Sequence, residues 1–100
     1  MDRYKIKIYP IAQNDLTEVI DYLNTLSEKV AIEYYDLIIE KITTLAEMPE
    51  RCALAKDRYL RMHGYRILLI KNYMVFFKIK EKVVEIHRIL YAKRQYKWLL

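Results

Sequence analysis

Three runs of residues separated by two short breaks decide the fold: Tyr65-Arg66-Ile67-Leu68-Leu69-Ile70, then Lys71-Asn72, then Tyr73-Met74-Val75-Phe76-Phe77-Lys78-Ile79-Lys80, then Glu81-Lys82, then Val83-Val84-Glu85-Ile86-His87-Arg88-Ile89-Leu90-Tyr91. Each run is rich in β-branched and aromatic residues, and each break is two residues long, the length of a tight hairpin. Along the middle run Tyr73, Val75, Phe77 and Ile79 share one face. Three strands joined this way form an antiparallel meander. Arg88 is the irregularity, because it shares parity with Val84, Ile86 and Leu90 on what reads as a core face. Either a bulge re-aims it or the strand has passed the edge of the core.

Upstream the period changes. Lys5-Ile6-Lys7-Ile8-Tyr9 alternates as a half-buried strand, and Pro10 ends it and opens a helix. Leu16, Val19, Ile20, Leu23 and Leu26 recur at helical spacing, with Asp15, Glu18 and Asp21 turned toward water. Ser27 is placed to cap a second helix whose stripe is Ala31, Tyr35, Ile38, Ile42 and Leu45, stopped by Met48-Pro49. Two helices with so short a link pack antiparallel and cover one face of the sheet, leaving the other available. Glu50 to Leu60 lacks a period and reads as a loop leading into a strand, and Arg94 to Leu100 as a short tail. The class is therefore α+β: an N-terminal strand, a helical hairpin, then a three-stranded meander in one sheet, a single domain over residues 1–100.

Rare residues exclude several functions. The 100 residues, 54% of them hydrophobic, suffice for one ordinary core. A single glycine, Gly64, cannot build a phosphate-cradling loop, and a single cysteine, Cys52, cannot form an internal disulfide or a thiolate cluster. His63 and His87 lack a carboxylate cluster around them in sequence, so no metal and no cofactor is expected. With no apolar run near the roughly 20 residues of a membrane span and no secretory leader pattern, the expected setting is cytoplasmic, with no membrane partner. Residues 1–50 carry five basic and ten acidic side chains, and residues 51–100 carry thirteen basic and three acidic. That asymmetry, with Tyr59, Tyr65, Tyr73, Tyr91 and Tyr96 in the basic half, suits a polyanion such as single-stranded nucleic acid. The plain alternative is a solvated basic surface over a tyrosine-rich core.

The segment Val84-Glu85-Ile86-His87-Arg88-Ile89-Leu90-Tyr91-Ala92-Lys93-Arg94-Gln95-Tyr96 resembles the terminal signature of the RelE/ParE superfamily of bacterial type II toxins. Ala12, Asp15-Leu16 and Tyr22-Leu23 match its first helix, Leu45 with Pro49 the end of its second, and Gly64-Tyr65-Arg66 with Asn72 to Phe77 its central hairpin. Ala92 stands for the usual glycine, Lys93 for the first arginine and Gln95 for the usual aspartate. The resemblance implies a growth-inhibiting toxin, of the kind associated with plasmid stabilisation, silenced by a cognate antitoxin from an adjacent gene. It implies two activities on one fold. RelE-like members are mRNA interferases, endoribonucleases that cut mRNA on the ribosome, and ParE-like members poison DNA gyrase without nuclease activity. A non-toxic relic that binds nucleic acid or antitoxin is the third reading.

Cleavage of RNA by its 2′-hydroxyl needs a proton acceptor, a clamp for the charged phosphorane and a proton donor. By resemblance the clamp falls on Arg66 and Arg94; Leu100 stands at the family's tyrosine position, which leaves Tyr96, or else Tyr91, to substitute in that role. Arg58, Arg61, Arg88, Tyr91 and Lys93 are the expected substrate contacts. These assignments favour the ribosome-dependent interferase over the gyrase poison. Each residue has a duller account: Arg66 as a structural arginine held by a helix carboxylate, His87 as a half-buried spacer, His63 as a turn residue, Cys52 as an inert thiol.

Overall fold

The computed structural model describes residues 3–93. Strand β1 (Lys5–Ile8) leads into α1 (Pro10–Leu26) and α2 (Glu28–Thr43). Two 3₁₀ turns follow, Thr44–Ala46 and Pro49–Arg51, then a short helix α3 (Arg58–Met62) and the strands β2 (Arg66–Ile70), β3 (Tyr73–Lys80) and β4 (Val83–Tyr91). The sheet order is β1-β4-β3-β2, with β1 parallel to β4 and the other pairs antiparallel. This is the expected α+β arrangement. What the sequence did not show is that β1 adds to the last strand of the meander, which puts β4 in the interior of the sheet.

Local chemistry accounts for the joints. Pro10 occupies the first turn of α1, where its missing N–H is not needed. Ser27 Oγ accepts from the Val30 N–H at 3.3 Å, capping α2 one residue after α1 ends. Helix α2 stops at Thr43, before Leu45, and Met48 turns the chain with φ +52° ahead of Pro49. Lys71 and Glu81, the first residues of the two hairpin turns, hold φ of +51° and +57°. Gly64, at φ +81°, makes the reversal from α3 into β2.

Two apolar clusters lie on opposite faces of the sheet. On the helix side Leu16, Ile38 and Ile42 pack against Val75, Phe77, Val84, Ile86 and Ile89. On the far side Ala55 and Leu60 pack against Tyr65, Phe76 and Leu90. Both faces of β3 are therefore buried at its middle, which explains the unbroken Val75-Phe76-Phe77.

Four expectations need correction. The stretch 50–60 does not lead into a strand: Asp57 caps Leu60 at 3.0 Å and starts α3, and only Leu54 bridges to Arg66. Asp15 does not face water; it is 6% exposed. Leu26 is 66% exposed and Tyr35 is also exposed, so neither joins the core; on α2 the neighbouring Tyr34 meets Tyr73 of β3 instead. The far face is not left wholly open, since α3 and its loop cover the end near Phe76 and Leu90. The tail Arg94–Leu100 lies outside the described residues.

Candidate functional site

The organising feature is a β-bulge in β4. Phe77 pairs with Ile86 and Phe76 with Arg88, so His87 is an extra residue in the ladder. This settles the Arg88 irregularity in favour of a bulge. Before it Val84 and Ile86 face the helices; after it Ile89 does. Bulges concentrate beside functional sites because they re-aim side chains.

Past Ile8 the strand β1 ends, and the edge of β4 beyond Ile86 needs another partner. Asp15 of α1 supplies it. Its Oδ2 accepts from the Ile89 backbone N–H at 3.0 Å and from Arg88 Nε at 2.7 Å, and its Oδ1 accepts from Arg88 Nη2 at 2.9 Å. The carboxylate thus replaces a strand for one ladder position and fixes the guanidinium bidentately. The hydrogen bonds that Arg88 donates to Asp15 are the main cause holding its guanidinium above its usual pKa.

His87 sits in a cluster on the side away from the long helices. Its Nε2 lies 3.4 Å from Glu85 Oε1, and its Nδ1 lies 3.5 Å from the Tyr65 hydroxyl. The Tyr9 ring lies against it at 4.4 Å between centroids, and Tyr65 meets it edge-on at 5.3 Å. Lys78 covers the Tyr65 ring at 4.5 Å and Lys7 the Tyr9 ring at 5.3 Å. Burial is the main cause pushing the imidazole below its ordinary 6.5; Lys78 works the same way and Glu85 opposes. Burial likewise pushes the Tyr65 and Tyr9 hydroxyls up. Since the native state resists protonation of His87 while the unfolded chain does not, the unfolded state binds more protons just below 6.5. The stability this contributes is complete above that value and is lost as the pH falls through the window beneath it. His87→Gln should therefore flatten the dependence of thermal stability on pH between 7.5 and 5.5, and an unchanged slope would refute this account.

Among the described residues, those nominated from sequence do not form one cluster. Arg66 opposes Phe77 and so leaves the helix-side face, where Nη1 donates to the carbonyl oxygens of Cys52 at 2.6 Å and Glu50 at 3.3 Å. The acceptors of Arg66 are thus backbone carbonyls rather than a helix carboxylate. Glu50 itself accepts from the Tyr4 hydroxyl at 2.6 Å, the first cause of its lowered pKa. Arg88 opposes Phe76, on the other face, and turns to Asp15. Arg61 donates to the carbonyls of Ala55 and Lys56, both at 3.1 Å, and secures the α3 loop. Arg58 and Lys93 are exposed. Tyr91 lines a groove of about 590 Å³ on the helix side with Tyr22, Tyr34 and Tyr73. Arg94 and Tyr96 lie outside the described residues. Burial pushes the Cys52 thiol up, as befits an unreactive cysteine. Among the described residues no three His, Cys, Asp or Glu side chains gather as metal ligands, and no helix is long and apolar enough to cross a membrane.

Sequence reasoning passed over Asp15, Glu85, Tyr9, Lys7 and Lys78. The alternation Lys5-Ile6-Lys7-Ile8 did place both lysines on one face; only the pairing of β1 with β4 shows that this face carries His87.

Comparison with known proteins fits this fold. No curated protein sequence matches the chain significantly. Among solved structures, a chain of the chromosomal ParDE toxin–antitoxin system from P. aeruginosa is similar with a TM-score of 0.77 at 21% identity, covering 91% of this chain and 98% of that one. A chain of the RelBE2 toxin–antitoxin complex from Mycobacterium tuberculosis gives 0.64 at 20% identity, covering 93% and 97%. The family model of the ParE toxin of type II toxin–antitoxin systems matches residues 6–96. From β1 to beyond β4, then, the chain belongs to the ParE toxin family of type II toxin–antitoxin systems.

Proposed function

We propose that this toxin acts as a ParE-like poison of DNA gyrase, by binding rather than by cutting RNA, and that a cognate antitoxin encoded beside it holds it silent. One observation carries the choice of target: Arg66, one of the two arginines that the resemblance gave to the clamp, is engaged by the backbone carbonyls of Cys52 and Glu50, and Arg88, the substrate contact expected on β4, leaves the other face of the sheet and pairs with Asp15. A phosphorane clamp needs cations converging on one point. A gyrase poison needs only a surface. The antitoxin half of the reading is supported by the similar folds found in the ParDE system and the RelBE2 complex. The tyrosine-lined groove beside α1, with Asp15, Glu18 and Asn72 among its lining, offers such a partner a mixed aromatic and polar seat.

The test is purified toxin in a gyrase supercoiling reaction and, in parallel, in a translating extract. Inhibited supercoiling with intact mRNA is expected, and Arg66→Ala or Arg66→Lys should retain whatever inhibition their folded fraction allows. Codon-positioned cuts in translated mRNA that vanish in both variants would restore the interferase reading. Neither effect from the wild type would favour a non-toxic relic.

A further inference from the structure

The strand register places four lysines in a rectangle on the part of the far face that α3 leaves uncovered. Lys5 of β1 pairs with Val83 of β4, which pairs with Lys80 of β3. One row along, Lys7 pairs with Glu85, which pairs with Lys78. Lysines in one strand are two residues apart, roughly 6.6 Å, and those in the same row are two strand spacings apart, roughly 9.5 Å. Lys5, Lys7 and Lys80 are exposed and Lys78 is half-buried. Glu85, the carboxylate inside the rectangle, is turned to His87, and its side chain is only 16% exposed. The rings nearby are not free stacking platforms. Tyr65 is buried, and Lys78 and Lys7 sit over Tyr65 and Tyr9, so the aromatics brace the lysines by cation–π contact.

We propose that this helix-free face contacts the phosphate backbone of duplex DNA, without reading its sequence. Four cations on a rigid sheet complement a polyanion that carries one charge per roughly 1.7 Å of axis. A single strand would need exposed rings to hold its bases, and here lysine head groups stand over them. The proposal does not depend on gyrase being the target; it concerns the toxin's own contact with DNA.

Fluorescence anisotropy of the full chain with a labelled duplex of mixed sequence, titrated at several salt concentrations, tests it. Micromolar binding is expected in low salt, with log K falling linearly against log salt. Lys5→Glu with Lys80→Glu should weaken binding at least tenfold and reduce the salt slope by roughly 1.8, at about 0.9 per lost phosphate contact. Lys5→Gln with Lys80→Gln should lower the slope equally with a smaller loss of affinity. Lys29→Glu with Lys41→Glu, on α2, makes the same change in net charge and should leave the slope unaltered. Equal losses in the two Glu pairs would overturn the proposal, because net charge alone would then explain binding. So would tighter binding to a single strand of DNA or RNA than to the duplex, or no duplex binding by wild-type protein at low salt.

Discussion

Asp15→Ala lowers the midpoint of thermal unfolding by at least about 12 °C, the equivalent of roughly 3–5 kcal/mol in a domain of this size. The substitution removes the carboxylate that two guanidinium nitrogens and the Ile89 N–H share. Arg88, 8% exposed, is then left buried without that counter-charge. Burial decides the magnitude. Arg3 and Glu47 form an equally short contact, 2.7 Å, with both side chains more than half exposed, and Arg3→Ala should cost under about 1 kcal/mol. Asp15→Asn should fall between, since its amide oxygen can still accept from Ile89. Replacing both partners, Asp15→Leu with Arg88→Met, should recover most of the loss, leaving roughly 1–3 kcal/mol for the orphaned N–H. Calorimetry on the four variants checks this, and a loss below about 1 kcal/mol for Asp15→Ala would mean that the pair does not hold α1 to β4.

The second large effect is local. Leu60→Ala, at a position without exposure, should cost roughly 2–5 kcal/mol as a cavity under α3. Leu60 belongs to the far-face cluster, which the sheet separates from the helix-side core. The loss should therefore appear first where α3 and its loop are bonded. The Ala55 N–H, which donates to Tyr65, and the Tyr65 N–H, which donates to Leu60, should exchange much faster with solvent. Amides of Val75 and Phe77 in β3 should keep most of their protection. Uniform loss across all strands in hydrogen exchange would show that the two clusters unfold as one.

Much of the architecture was legible because it follows from short-range periodicity. Lys5 to Tyr9 alternates, Leu16 to Leu23 steps by three and four, and the two-residue breaks at Lys71 and Glu81 leave little choice but a meander. Ser27 as a cap and Pro10 as an opener are local rules that the structure obeys. The loop with α3 was missed because five residues give too little period to recognise a helix; the capping pair Asp57 and Leu60 was the available signal.

The arginines show where such reading stops. Sequence and resemblance singled out Arg66, but only the register of β2 against β3 shows that its guanidinium lies beside carbonyl oxygens beyond the end of α2. Asp15 looked like a solvent-facing charge by helical parity, yet the early end of β1 exposes an edge of β4 that its carboxylate completes.

What the sequence by itself determined was the kind and order of the elements, since helix and strand periods, caps and turns are properties of neighbouring residues. The tertiary structure alone decided which charged side chains meet. The bulge at His87 shifts the last strand by one residue, and pairing of β1 with β4 joins chain segments some 78 residues apart, as Lys5 meets Val83. One residue of register turns a side chain to the other face of a sheet, so a site built across strands is fixed only once the strands are paired.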